Sequence, residues 1–302
     1  LKLHRGDLVI ATMGRGFWVL DQVSTLAQTD LDEDSPKVFR PEPGIRTYSP
    51  SGSYGSDQPR YPRPGVNLDY FLPEKTSAPV RLEILDRTGA VINAFSSDSI
   101  PEGGQTSTRD MATGFREYIV DRKLSASEGL NRYRWDMSMY GPWRSSERRR
   151  YQNGPMAPPG MYTARLRVGE QVAEQAFELK MDPRVLQAGV TESDVAAQTE
   201  LMVQVRDALS EAYRFQEELE EALGELQEKP RLSDTEQARK ETLEALLAGI
   251  KTEEGIYMQP MLADQLRYLY NMLGDADQLP GRDAYDRFDE LRAQLSALKA
   301  KF

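Results

Sequence analysis

Fifteen of the 18 prolines and 17 of the 22 glycines in this 302-residue chain lie before Thr191. Proline lacks a backbone N–H and glycine costs a helix interior about 1 kcal/mol, so the residues ahead of that point suit turns and short strands, whereas those behind it are free to be helical. Charge divides at the same place. Residues 191–302 carry 13 basic and 24 acidic side chains, a charge of −11, against about +1 for everything before them. The composition therefore predicts a β region followed by an α region, with the boundary between Pro183 and Thr191.

Several function classes drop out early. The formal charge of −10 has the wrong sign for a chain that binds nucleic acid or an anionic membrane through its overall field. No apolar run approaches about 18 residues, so no membrane-spanning helix is expected, and the first residues lack the basic, apolar and small-residue order of a signal peptide. There is no cysteine and a single histidine, His4. Thiolate metal sites, disulfides and cysteine nucleophiles are excluded together, and neither a metal nor a cofactor is expected.

Strand signals fill the front. Asp7–Thr12 and Gly16–Asp21 are two apolar runs joined through Met13-Gly14-Arg15, the pattern of a hairpin. Residues 30–65 read as an irregular connection rich in Pro, Gly, Ser and Tyr. Within it, Asp30, Asp32 and Asp34 imitate the opening of a calcium loop, but Ser35 and Pro41 stand where that loop needs Gly and Glu, and the stretch reads as a solvated acidic loop. Further strands are predicted at 66–72, 80–86, 90–95, 131–137, 162–168 and 172–181. Leu82 and Ile84 alternate with Arg81 and Glu83, as do Tyr162, Ala164 and Leu166 with Thr163, Arg165 and Arg167. Period two with one charged face means half-buried antiparallel strands, and this number of them suits an immunoglobulin-like β-sandwich.

The tail has helical periodicity. Thr191-Glu192-Ser193-Asp194 and Ser233-Asp234-Thr235-Glu236 have the form of capping boxes, and Pro260 and Pro280 open two more helices. Four amphipathic helices on short loops predict an up-and-down four-helix bundle. The first, running from 192 to 228, is far longer than the rest. Its C-terminal half, with Leu219, Leu223 and Leu226 among glutamates, is expected to project as an arm or to lie against another part of the protein.

A resemblance rests on three segments. Asp7-Leu8-Val9-Ile10-Ala11-Thr12-Met13-Gly14-Arg15-Gly16-Phe17-Trp18-Val19-Leu20-Asp21 resembles the closing blade of bacterial exported sortilin-like β-propellers with BNR (Asp-box) repeats, proteins often labelled glycosyl hydrolases. Gly129–Asp136 and Ala157–Thr163 resemble the Ig-like module that follows such a propeller, a module similar to that of the flagellar hook cap protein. The chain departs from the pattern in having Met13 where the family usually has His, and in lacking a complete Asp-box; Ser96-Ser97-Asp98 lacks the Gly, Thr and Trp. The resemblance implies a C-terminal region that starts inside the last blade. Its parts would be a partial blade over 1–29, a linker over 30–65, an Ig-like β-sandwich over 66–184 and a helical bundle over 191–302. It further implies an exported setting (periplasm, cell surface or secreted), an upstream propeller as neighbour, and another exported protein or peptide as partner.

The chemistry expected of the chain is sparse. Asp7 and Asp21 bracket the hairpin and are weighed as a glycosidase carboxylate pair, but Asp at strand ends is ordinary turn chemistry. Trp18 and Trp135 lie in apolar strand runs and are read as core rather than as sugar platforms. Arg144, Arg148, Arg149 and Arg150 gather on one loop beside Trp143 and Tyr151, a candidate contact for an anion, a partner or the acidic helices. No Ser/His/Asp set, metal cluster or phosphate loop is found, so no catalytic residue is assigned. The expectation is a non-catalytic accessory and interaction region that braces a propeller. The alternative is the accessory tail of a glycan-active hydrolase whose catalytic propeller lies upstream.

Overall fold

A computed structural model describes residues 1–4, 6–29, 34–48, 64–98, 124–145 and 152–302. It is a β-then-α protein of two compact units, one made of residues 1–138 and 158–186, the other of 139–157 and 187–302. No helix among the described residues is long and apolar enough to cross a membrane.

The first unit holds three sheets. β1 (Lys2–His4), β2 (Asp7–Thr12) and β3 (Gly16–Leu20) form an antiparallel sheet in that order. The short helix α1 (Ser24–Gln28) follows, then β4 (Lys37–Val38) and β5 (Gly44–Arg46). β6 (Val66–Leu72), β7 (Val80–Leu85), β8 (Val91–Ser96), β9 (Gly129–Trp135), β10 (Gly160–Val168) and β11 (Gln171–Met181) complete the set. These make a three-stranded sheet, β4-β6-β9, and a five-stranded sheet, β5-β11-β10-β7-β8. Every pairing is antiparallel except that of β5 with β11. Residues 30–65, expected as a linker, thus supply a strand to each of these two sheets.

The two sheets meet through aromatic side chains. Trp135 on β9 is fully buried and stands edge-on to Tyr162 of β10 and Phe177 of β11 at 5.7 and 5.8 Å, while Phe95 of β8 lies 4.4 Å from Tyr133 of β9. Leu68 and Tyr70 of one sheet and Leu82, Ile84, Ala164 and Leu166 of the other are buried with them. The charged face holds as expected with one exception. Glu83 is buried because Arg81, Arg165 and Arg167 bring guanidiniums within 3.2, 3.6 and 3.2 Å, and without such partners a carboxylate could not leave water at acceptable cost. At the β7–β8 turn, Asp86 Oδ1 accepts the Thr88 and Ala90 amides, and Gly89 takes φ +84°, which favours glycine there.

After α2 (Pro183–Gln187) come α3 (Glu192–Gln227), α4 (Asp234–Ile250), α5 (Leu262–Leu273) and α6 (Arg282–Lys299). Both capping boxes are formed, by Thr191 with Asp194 and by Ser233 with Glu236. Helix α3 is unbroken over 36 residues, about 54 Å, yet no end of it is left over. Both α4 and α5 run opposite to α3, one after the other along its length. Lys229 pairs with Glu236 near the start of α4 and Lys251 with Glu220 just past its end, while Gln198 Nε2 donates to the carbonyls of Leu273 and Ala276 at the end of α5. Helix α6 returns alongside, bringing Lys299 to Glu211 and Phe302 to 5.4 Å from Phe215. Two short helices thus match one long one, and strict up-down alternation is replaced by a down-down pair. Of the two expectations for the C-terminal half of α3, a projecting arm or a segment lying against another part of the protein, the second holds: Leu219, Leu223 and Leu226 share a core with Leu243, Leu246 and Ile250 of α4.

Candidate functional site

The β1–β3 sheet leaves much of its apolar surface exposed. Thr12 Oγ1 donates to the Gly16 carbonyl at 3.2 Å across a turn in which Gly14 and Gly16 have φ of +81° and +76°. Registers Leu3↔Leu8↔Leu20 and Ile10↔Trp18 put these five apolar side chains on one face, whereas Val9↔Val19 and Ala11↔Phe17 occupy the other. An ordinary surface sheet would have one polar face; this one is apolar on both. Phe17 is 80% exposed, Trp18 62% and the turn residue Met13 fully so. β3 pairs with β2 alone, so among the described residues its other edge is unpaired. The core position expected for Trp18 is therefore corrected. Its neighbours in sequence are apolar, but they too are exposed, and among the described residues no second layer stands over them.

The sheet is tied to the rest of its unit by polar contacts. The Gln22 and Val23 amides donate to Asp7 Oδ1 and the Gly6 carbonyl at 2.9 and 2.8 Å. On the β4-β6-β9 sheet, the buried carboxylate of Asp69 receives Arg132 through two parallel bonds of 2.6 and 2.8 Å, and Thr25 Oγ1 donates to it at 2.6 Å. Those hydrogen bonds raise the proton affinity of the Arg132 guanidinium. Arg134 Nη2 lies 3.6 Å from Asp21 Oδ2, and its Nε donates to Asn67 Oδ1. Asp7 and Asp21 thus serve the turn and the tether, which is the ordinary reading of their positions.

The basic loop is only partly described: Arg148, Arg149 and Arg150 lie outside the described residues. Arg144 belongs to the helical unit and sits 4.9 Å from the centre of the Tyr213 ring, while Arg214 sits 5.3 Å from that of Trp143. It faces the middle of α3 and not the glutamate-rich end. Of the calcium-like series, Asp30 and Asp32 are also outside the described residues.

One hollow was not foreseen. It measures about 540 Å3 and is lined by Thr76, Ser77, Ser97, Ser125 and Ser127, with Asp98 as the one carboxylate of its lining among the described residues. Hydroxyls of this kind can bind a sugar, but hydrolysing a glycosidic bond needs a second acid. Its signal in the sequence was the pairing of Ser/Thr dipeptides at strand ends, which is indistinguishable from turn composition. Among the described residues no group of three His, Asp or Glu side chains could hold a metal ion. Comparison with protein-family models and with curated proteins finds no match.

Proposed function

We propose that this chain is a non-catalytic accessory region of an exported sortilin-like β-propeller protein, in which the β1–β3 sheet is part of the last blade. In this reading the two packed sheets are an Ig-like module, and with the helical tail they brace the propeller and present a surface to another exported protein or peptide. The observation that carries it is the β1–β3 sheet, apolar on both faces and open at the β3 edge. Such a sheet is stable in water only when further strands and layers cover it. Arg144 and its neighbouring arginines remain the proposed anion or partner contact. The hydroxyl-lined hollow is the one observation that favours the other reading, the accessory tail of a glycan-active hydrolase.

The test is binding to a separately produced polypeptide carrying the sequence encoded immediately upstream of Leu1. Tight association is expected, lost when Phe17 and Trp18 are both changed to Ser, a change that removes exposed side chains only. No association would overturn the proposal. Hydrolysis of chromogenic glycosides by this chain alone, abolished by Asp98→Asn or Asp7→Asn, would install the enzyme reading in its place.

A further inference from the structure

The segment between β9 and β10 does not stay with the strands that it connects. Its two described limbs, Met139–Ser145 and Gln152–Ala157, belong to the helical unit. The first limb rides along α3: the Arg206 guanidinium donates to the Tyr140 carbonyl at 3.2 Å, and the Trp143 amide donates to Ser210 Oγ at 3.0 Å. The second reaches α5, where the Tyr270 hydroxyl donates to the Asn153 carbonyl at 2.7 Å. Tyr270 and Ser210 are buried, so the bonds that they make to this segment satisfy groups that water hardly reaches.

The limbs are also locked to each other. The Met139 amide donates to the Pro155 carbonyl at 2.8 Å, and the chains cross so closely that a Cβ on Gly141 would lie 1.7 Å from the Gln152 carbonyl oxygen and one on Gly154 1.9 Å from that of Met139. Only glycine fits at either crossing. The roots are fastened as well, inside the two-sheet unit. The Ser138 carbonyl accepts from Trp135 Nε1 at 2.9 Å and from Asn93 Nδ2 at 2.8 Å, and the Tyr162 hydroxyl donates to the Pro158 carbonyl at 2.6 Å.

We infer that the limbs 139–145 and 152–157 act as a strap that fastens α3 to α5 and makes the stability of the helical unit depend on the folded β9 and β10 strands. The inference stands apart from the propeller reading. Helices α3 and α5 take hydrogen-bond partners from the strap at Arg206, Ser210 and Tyr270, and the strap is shaped by glycine crossings and by roots held in the sheet core. A disturbance at either root travels along a short, doubly anchored chain.

Amide hydrogen exchange of the full chain tests this. Gly141→Val, which forces the crossing open, should speed exchange of α3 between 201 and 215 and of α5 by about tenfold or more while leaving β10 and β11 unchanged. Tyr270→Phe removes only a hydroxyl, so the chain still folds, and should speed α5 exchange about fivefold, as loss of one buried hydrogen bond implies. Asn93→Ala, a change in the sheets alone, should give the same helical pattern in weaker form. Unchanged helical exchange in Tyr270→Phe, or Asn93→Ala acting only on the strands, would overturn the strap. If Gly141→Val fails to fold, the other two variants decide.

Discussion

Trp18 and Trp135 are both strand tryptophans, and the molecule treats them in opposite ways. Each sits on an antiparallel strand with a hydrogen-bonded neighbour, Trp18 amid the apolar run of β3 and Trp135 at the end of β9, where aromatic and charged residues alternate. Trp135 is sealed between two sheets, edge-on to two other rings, with its indole N–H bonded to Ser138; Trp18 projects from a sheet that has water on both sides. What differs is the second layer, and a strand cannot state its second layer in its own residues. An apolar run reports that burial is needed, while the rest of the fold decides whether it is supplied.

The largest effect should come from breaking the covered side of this pair. Trp135→Ala should cost about 3 to 5 kcal/mol in denaturant titration, the range for deleting a large buried aromatic, and a loss under about 1 kcal/mol would mean that the sheets do not meet there. Next is the tether. Arg132→Ala takes the guanidinium away from the buried Asp69 carboxylate while leaving its bond from Thr25 Oγ1, and should cost about 2 kcal/mol, with faster amide exchange in residues 21–29, since removing one partner of a buried ion pair leaves the desolvation of the other uncompensated. Equal exchange there with and without Arg132 would show that the β1–β3 sheet is held by something else.

A smaller effect concerns the end of β11, where the covered sheet is joined to β5. The Asp182 carboxylate accepts from Arg184 at 2.6 Å and from Thr47 Oγ1 at 2.5 Å, chiefly the former, and these bonds hold it well below its ordinary value of 3.8. The depressed group adds stability that is complete above 3.8 and fades as pH falls toward its lowered value, because the unfolded chain then binds the proton more readily. Asp182→Asn should therefore flatten the acid side of the stability curve, seen as similar urea midpoints at about pH 5 and about pH 2.5, whereas the unaltered chain should lose stability between them. Smallest of all is Trp18→Ala, within about 0.5 kcal/mol for a side chain with so little to lose. A cost as large as that of Trp135→Ala would erase the contrast.

Much of the fold was legible locally. The run at 66–72 is β6 as expected, both capping boxes form where their Ser/Thr and acid spacing falls, and α3 is continuous because nothing between Thr191 and Pro230 interrupts its apolar stripe. What escaped was non-local. β5 has only three residues, too few to show a period, and its parallel partner lies more than a hundred residues away. The bond from Thr25 to Asp69 and the strap across Arg206, Ser210 and Tyr270 join residues that carry no mutual signal in one sequence. The surplus length of α3 was read correctly, but two helices laid end to end absorb it, an option that helix lengths alone do not reveal. Of the candidate sites, the open sheet could be anticipated from an isolated hairpin in need of neighbours, whereas the hydroxyl-lined hollow could not.

The most direct test of the account is amide hydrogen exchange at β3 compared with β10, measured on this chain alone and with a polypeptide carrying the proposed upstream blade added. Alone, the amides of residues 16–20 should exchange far faster than those of 160–168, and addition should protect β3 by about a hundredfold or more while leaving β10 as it was. A β3 already as protected as β10 in the isolated chain, or one that the added segment leaves unchanged, would contradict the claim that this sheet is completed from outside.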